Sequence, residues 1–305
     1  MKVVLAGGTG FIGKALHQRL MENGHEVILL TRSSNRLRFN LNGKTTIVSW
    51  DGRQVGDWAE QIEKADAFIN LAGDPIVEGR WTRAKKERIL TSRLQATRTL
   101  VAAIKHARKK PSVFINASAV GYYGNVAQGE VKENHPKGEG FLADVCEQWE
   151  NEAQAVQSLG IRLVLIRTGV VLGRKGGALK KMITPFRFFM GGTLGSGEQW
   201  LPWIHIDDVT GGIIFSLEKY HVFGPINLTS PHPVPMREFS KALGKALHRP
   251  SWASVPSFVL RATLGELADT ILEGQKVVPE KLLKAGYKFH YPSLQNALNS
   301  FFKKD

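Results

Sequence analysis

The chain holds one cysteine, Cys146, in 305 residues. A lone thiol excludes an intrachain disulfide and fits a reducing compartment, so a cytoplasmic protein is expected. Also lacking is any apolar run near the roughly 20 residues that a membrane-spanning helix needs. The apolar N-terminal stretch is short and runs into glycines without a cleavage-site pattern, which reads as a core strand rather than a signal peptide. No zinc-type spacing, helix-turn-helix or aromatic-basic pattern occurs, and no metal is expected. Acid is scarce relative to base: 27 Asp and Glu against 41 Lys and Arg give a net charge of +14. Such a balance is compatible with nucleic acid, an acidic membrane surface or a phosphorylated ligand. The positive residues are scattered, however, and their clusters at Arg83 to Arg88 and Lys105 to Lys110 fall on helical patterns, where charge marks a solvated face. Nucleic acid is therefore not the expected main partner, and no membrane partner is expected. A small-molecule substrate and self-association as a homodimer are the partner expectations that remain.

What is present is an ordinary globular composition, 43% hydrophobic and 22% charged, long enough for one or two domains. Residues 3–13 read V-V-L-A-G-G-T-G-F-I-G, an apolar strand entering a glycine turn. Gly7, Gly10 and Gly13 stand at G-x-x-G-x-x-G spacing before a helix predicted to begin near Phe11. The first glycine permits a sharp turn, the second leaves room for a pyrophosphate against backbone N–H groups, and the third lets helix and strand pack closely. The helix N-terminus directs partial positive charge at the phosphates. A dinucleotide site follows.

Short apolar strands alternate with amphipathic stretches through the first half. The spacing predicts strands at Val3–Ala6, Glu26–Thr31, Thr46–Ser49, Ala67–Leu71, Val113–Asn116 and Arg162–Arg167, with helices over Trp81–Arg108 and Leu142–Leu159. This alternation implies an α/β protein with a Rossmann doubly wound parallel sheet. Gly24 is placed to end the first helix with a left-handed cap. Beyond Thr168 the alternation loosens: Gly191 to Trp203 reads as a loop. Helices are predicted at Met236–Leu247, Ser257–Leu272, Pro279–Ala285 and Ser293–Phe302. The expected division is a nucleotide-binding domain over residues 1–168 plus about 204–230, and a smaller C-terminal substrate lobe over 169–203 and 231–305. Asp207 and Asp208 are expected to cap a helix starting near Val209.

The end of the second predicted strand bears on the choice of cofactor. Where NAD is used, an acidic residue there binds the ribose hydroxyls. This chain continues Thr31-Arg32-Ser33-Ser34-Asn35-Arg36, which offers guanidinium and hydroxyl donors suited to a phosphate. NADP(H) is the expected cofactor.

The glycine turn, Asn70-Leu71-Ala72-Gly73, Ala117 to Gly124 and Trp203 to Val209 together resemble the extended short-chain dehydrogenase/reductase superfamily. Arg167 to Gly173, Gly195-Ser196-Gly197, Asn227-Leu228-Thr229 and Leu272 to Pro279 narrow this to the atypical branch of "epimerase family" proteins, called YfcH-like in bacteria. The resemblance covers essentially the whole chain and implies a Rossmann domain binding NADPH. It places Gly7, Thr9, Gly10, Phe11, Ile12 and Gly13 at the pyrophosphate turn and Arg32 at the 2′-phosphate. Asp51 falls at the adenine edge and Leu71, Ala72 and Gly73 beside the ribose. Ser118 falls at the end of the fifth strand, with Thr168, Gly169, Val170 and Val171 beside the nicotinamide. An oxidoreductase or epimerase-like activity on a small molecule is implied.

The superfamily's proton relay uses a Ser or Thr after the fifth strand and a Tyr-x-x-x-Lys pair on the next helix, the lysine lowering the tyrosine pKa. Alignment on Tyr123-Gly124 puts Ala119 at the hydroxyl position and Phe141 and Val145 at the pair; a shift of one gives Leu142 and Cys146. The relay is read as absent. Ser118, Tyr122 and Tyr123 are the catalytic candidates, although either ring serves equally well packed against the cofactor. A protein that binds NADP(H) as a sensor and performs no chemistry is the alternative. Cys146 reads as a small buried apolar residue, and Glu150 and Arg167 as members of ion pairs. Trp200 and Trp203 are read either as the floor of a substrate pocket or as filling between lobes.

Overall fold

The computed structural model describes residues 1–32, 44–174 and 176–302. Seven parallel strands form the central sheet: β1 (Lys2–Ala6), β2 (Glu26–Thr31), β3 (Thr45–Ser49), β4 (Ala67–Asn70), β5 (Val113–Ala119), β6 (Arg162–Thr168) and β7 (Gly224–Leu228). Their order is β7-β6-β5-β4-β1-β2-β3, a doubly wound Rossmann arrangement. Its direction of winding reverses between β1 and β4, where ligands of such sheets bind beyond the strands' carboxyl ends. The helices of eight or more residues, among those described, are α1 (Phe11–Glu22), α2 (Arg83–His106), α3 (Phe141–Gln154), α4 (Gly177–Arg187), α5 (Ile206–Glu218), α6 (Met236–Leu247), α7 (Ser257–Leu264) and α8 (Leu294–Phe302).

Alternation along each strand feeds two cores, which is why the strands read as continuous apolar runs. Val3, Leu5, Val27 and Leu29 pack with Leu16 and Leu20 of α1 and Val209, Ile213 and Leu217 of α5. Val4, Ala6, Ile28 and Leu30 face the other way, onto Leu100 and Ile104 of α2 and Ala153 of α3. A third core, built from Leu179, Ile183, Trp203, Phe239, Leu243, Leu298 and Phe301, belongs to the later part of the chain. Gly24 lies just past α1 with φ +79°, at the left-handed position its sequence context called for.

Several local expectations need correction. The helix predicted over Leu142–Leu159 ends at Gln154, and Gln157–Leu159 is a separate 3-10 turn. The helix predicted over Ser257–Leu272 breaks at Gly265, whose φ of +61° takes the chain out of the helix. Residues 191–203 are not a plain loop, since Gly192–Leu194 pairs with Ala253–Val255 and Trp200–Leu201 with Val234–Pro235. Asp207 and Asp208 do not cap α5. The cap is His205, whose Nδ1 accepts from the Asp207 N–H at 3.0 Å. The Asp208 carboxylate turns inward to accept from the backbone N–H groups of His290 (2.7 Å) and Tyr291 (2.9 Å).

Candidate functional site

The glycine turn leaves β1 at Gly7 with φ +78°, and a Cβ there would stand 2.5 Å from the Leu71 carbonyl carbon. The ends of β1 and β4 are thus locked together, and Leu71 N–H donates to Ala6 O at 2.9 Å. Gly13 in the first turn of α1 crosses Gly7 so closely that a Cβ would lie 2.2 Å from its carbonyl oxygen. Gly10 differs from both. Its backbone is ordinary (φ −73°, ψ 178°), and a Cβ there would meet Gly7 O at 3.3 Å and nothing else within 4 Å. Gly10 is also the N-cap of α1, with no side-chain cap and no acidic residue in the first turn. The opening N–H groups of a 12-residue helix are therefore left for an outside acceptor. These features fit the pyrophosphate of a dinucleotide.

Around this turn the sheet's carboxyl edge gathers the other expected residues. Arg32 is exposed just past β2. Ser33 and Arg36 lie outside the described residues. Asp51 follows β3, where Thr31 pairs with Ser49, and its Oδ1 accepts from Arg53 N–H at 2.8 Å. Ala72 N–H donates to the buried Asn70 Oδ1 (3.1 Å), while Asn70 Nδ2 holds Asn116 (2.7 Å) and Thr97 (3.0 Å). Asn70 thereby shapes the Leu71-Ala72-Gly73 turn. Ser118 and Thr168 end adjacent strands, since Ser118 pairs with Arg167 and Ala119 with Thr168. Gly169 N–H donates to Leu228 O and Val170 N–H to Pro202 O, which ties residues 169–171 to the edge.

Sequence reasoning missed one contributor to the nucleotide turn. The Phe11 ring, at the start of α1, is enclosed by Gly173, Gly176 and Gly177, where a Cβ would lie 2.6, 2.6 and 2.8 Å from ring carbons. The exposed Arg174 belongs to that loop. The run Gly173-Arg174-Lys175-Gly176-Gly177 was the available signal, a second short glycine-and-base segment in the chain.

Ser118, Tyr123, Glu150 and Arg167 form one buried network. Arg167 is 4% exposed and Glu150 4%. The guanidinium grips the carboxylate through two bonds of 2.8 Å, and Ser118 Oγ donates to Glu150 Oε1 at 2.7 Å. Arg167 Nη1 also donates to the Tyr123 hydroxyl at 3.0 Å, which in turn donates to Asn227 Oδ1 at 2.7 Å. Burial pushes the Tyr123 phenol up to about 12 despite Arg167. Burial alone would lower the Arg167 pKa, but the Glu150 pair outweighs it and holds the guanidinium firmly charged. Beside this, Glu133 Oε1 accepts from the backbone of Asn227 and Lys281, each at 3.1 Å, and burial raises its pKa. The half-buried Tyr122 ring lies flat under Arg167, with Cζ 3.5 Å from its centroid.

Phe141 and Val145 open α3. Phe141 meets Trp81 edge-on at 5.2 Å, and together with Ile89, Val145, Leu264 and Leu267 they make an apolar plug between the two halves of the chain. Arg80 donates to the last carbonyls of α7, at Ala262 and Thr263, and Lys86 pairs with Glu266, so polar latches flank the plug. A cavity of about 250 Å³ opens beside it, lined by Gly121, Phe141, Leu142, Thr270, Glu273 and Gln275. Cys146 is enclosed, its thiol pushed up to about 11 by burial, which leaves no thiolate for chemistry. Trp203 is fully buried and donates to His232 O at 3.0 Å; it fills the third core, while Trp200 stays half-buried. Among the described residues there is no cluster able to hold a metal, and no helix is long and apolar enough to cross a membrane.

Comparison with known proteins follows the same outline. The model of the NAD dependent epimerase/dehydratase family matches residues 3–228, and a domain of unknown function, DUF1731, matches residues 255–301. The epimerase family protein YfhF of Bacillus subtilis is 39% identical over 300 residues, covering 98% of this chain and 97% of its own. The epimerase family protein SDR39U1 of Bos taurus is 40% identical over 303 residues, 98% of each chain. The crystal structure of human epimerase family protein SDR39U1 (isoform 2) with NADPH superposes with a TM-score of 0.86, at 35% identity, over 99% of both chains. A UDP-glucuronic acid 4-epimerase from Bacillus cereus superposes with a TM-score of 0.79 at 21% identity over 99% of this chain and 98% of its own, a likeness of fold.

Proposed function

The chain belongs to the NAD dependent epimerase/dehydratase family, and from that premise we propose that it binds NADP(H) and carries out an oxidation–reduction or epimerase-like reaction on a small molecule without a Tyr-x-x-x-Lys pair. Gly10 carries the proposal. The backbone there is ordinary, and the one atom a Cβ would press on, Gly7 O at 3.3 Å, is only slightly too close, so the glycine chiefly keeps space for a ligand that approaches the bare helix N-terminus. Gly7 and Gly13 hold that turn, and Leu71 to Gly73 border it. Arg32 offers the 2′-phosphate a guanidinium where an NAD site would hold a carboxylate. The crystal structure of the human relative with NADPH supports the same choice.

When bound, the nicotinamide supplies or accepts a hydride. The cavity beside Phe141 gives a small substrate room at the sheet's carboxyl edge. The residues at and beside the superfamily's relay positions do not move a proton readily. Tyr123 keeps its proton until about pH 12, Ser118 is held by Glu150, and Phe141 and Val145 have none to give. Glu273 on the cavity wall, its carboxyl pKa raised by burial, or water then serves as the proton donor.

Fluorescence titration tests the cofactor reading. Arg32→Ala should weaken NADPH at least about tenfold while leaving NADH within about twofold, since one charge-assisted phosphate contact is removed. Equal weakening of both cofactors would sink the role given to Arg32.

The apolar plug favours a second reading, an NADP(H) sensor with no chemistry of its own. It stands where the resemblance places the proton relay and joins the two halves of the chain, which gives occupancy of one half a packed route to the other. Tight NADPH binding with no NADPH oxidation across a panel of carbonyls, quinones and nucleotide sugars decides for the sensor; turnover with any of them decides for the enzyme.

A further inference from the structure

Four large apolar side chains stand out at the surface: Phe188 is 72% exposed, Phe189 55%, Met190 64% and Trp252 72%. They form one patch. Trp252 Nε1 donates to Phe189 O at 2.9 Å, and Ala253 N–H donates to Gly191 O at 3.1 Å. The Arg249 guanidinium lies 4.6 Å from the Phe189 ring centroid. Phe189 adopts φ +60°, a left-handed conformation that a bulky aromatic takes only under constraint. The constraint holds an apolar ring outward, where burial cannot offset it.

The surroundings carry one sign of charge. Residues 174–197 contain five Lys and Arg and residues 239–265 four, and neither segment contains any Asp or Glu. Of these, Lys180, Arg187, Lys241, Lys245 and Arg249 are exposed. The carboxylate on α6, Glu238, sits in its first turn, at the end away from Trp252, and Glu198 is held by Arg237.

We infer that Phe188, Phe189, Met190 and Trp252 dock the protein on an anionic lipid bilayer, the apolar tips entering the interfacial layer and the basic collar meeting the headgroups. Side chains more than half exposed protrude rather than line a groove, which suits a deformable layer. A second copy set against this face would bring Arg187 and Arg249 against like charges. Nucleic acid would meet the collar but leave the aromatic tips and Met190 in water.

The experiment is co-sedimentation of the full chain with vesicles of phosphatidylcholine alone, or of phosphatidylcholine and phosphatidylglycerol in equal parts. The wild type should sediment with the anionic vesicles, remain in solution with the neutral ones, and be released by high salt. Phe188→Ser/Phe189→Gly/Met190→Ser should lower the partition at least about tenfold. Arg187→Gln/Lys245→Gln/Arg249→Gln should do the same, and both variants should melt as the wild type does by circular dichroism. Four results overturn the inference. These are no binding to anionic vesicles, binding unchanged in the aromatic variant, a wild-type dimer dispersed by that variant, and DNA binding lost in both variants without any lipid binding. If the aromatic variant melts early, Trp252→Ser alone must reduce the partition at unchanged melting temperature, or the inference fails.

Discussion

Replacing Arg167 with Met should destabilise the protein far more than the loss of a surface ion pair would. Arg167 and Glu150 are each 4% exposed and are joined by two bonds of 2.8 Å. Removing the guanidinium leaves a buried carboxylate with Ser118 as its remaining donor. Breaking a buried pair in this one-sided way costs about 3–5 kcal/mol. That is a large share of the roughly 5–15 kcal/mol by which domains are stable, and it corresponds to a melting temperature lower by about 10 °C. Glu150→Gln alone should also destabilise, because it leaves Arg167 charged and unmatched. The double variant removes both charges, while the amide oxygen left by Glu150→Gln still accepts from Ser118 and the methionine fills the aliphatic volume. It should therefore be less unstable than the sum of the single changes by about 2–3 kcal/mol. Urea unfolding followed by tryptophan emission measures all four corners of the cycle. Additivity within about 0.5 kcal/mol would show that the two side chains do not depend on each other and would refute the network's structural role.

Three further outcomes are expected. Gly10→Ala should lower NADPH affinity at least about tenfold with little change in melting temperature, whereas Gly13→Ala, with its Cβ 2.2 Å from Gly7 O, should lower both; a thermal shift assay with and without NADPH separates them. Tyr123→Phe leaves Asn227 and Arg167 short of a buried partner and should cost about 1–3 kcal/mol, and a chemical melt within error of wild type would contradict this. Burial pushes His205 down to about 4, so the unfolded chain takes up the proton first and stability is lost as pH falls from about 6.5 toward 4, by on the order of 2–3 kcal/mol. His205→Asn keeps a capping acceptor but no longer titrates; its deficit relative to wild type should shrink across that range, and a constant deficit speaks against the assignment.

The sheet was legible because it is written locally. Strands β1, β2 and β6 carry the apolar runs Val3–Ala6, Val27–Leu30 and Leu163–Ile166, and the glycine turn's spacing carries its own geometry. The helix start at His205 was not legible, because carboxylates are the commoner caps and Asp207 and Asp208 stood next to it. Their assignment turned on where Tyr291 and His290 arrive, more than eighty positions later. Glu150 and Arg167 were legible as pairing residues, but not as each other's partner, which depends on the register of β5 on β6. Trp203 reads as a pocket residue or a core residue until the third core is assembled around it. Glu133 gave no signal at all, since its bonds to Asn227 and Lys281 join segments distant in the chain.

The enclosure of Phe11 by Gly173, Gly176 and Gly177 bears on how the molecule comes together during synthesis. The nucleotide turn is made well before Gly173, yet the ring that opens its helix is packed by that later loop. β1 likewise waits for β4 before its carboxyl end is fixed against Leu71. Contacts this distant in sequence carry a loop-closure cost that slows folding, and the turn cannot reach its final shape until the later loop has been made. A nascent chain released before Gly177 would hold the glycine turn without the loop that closes around Phe11.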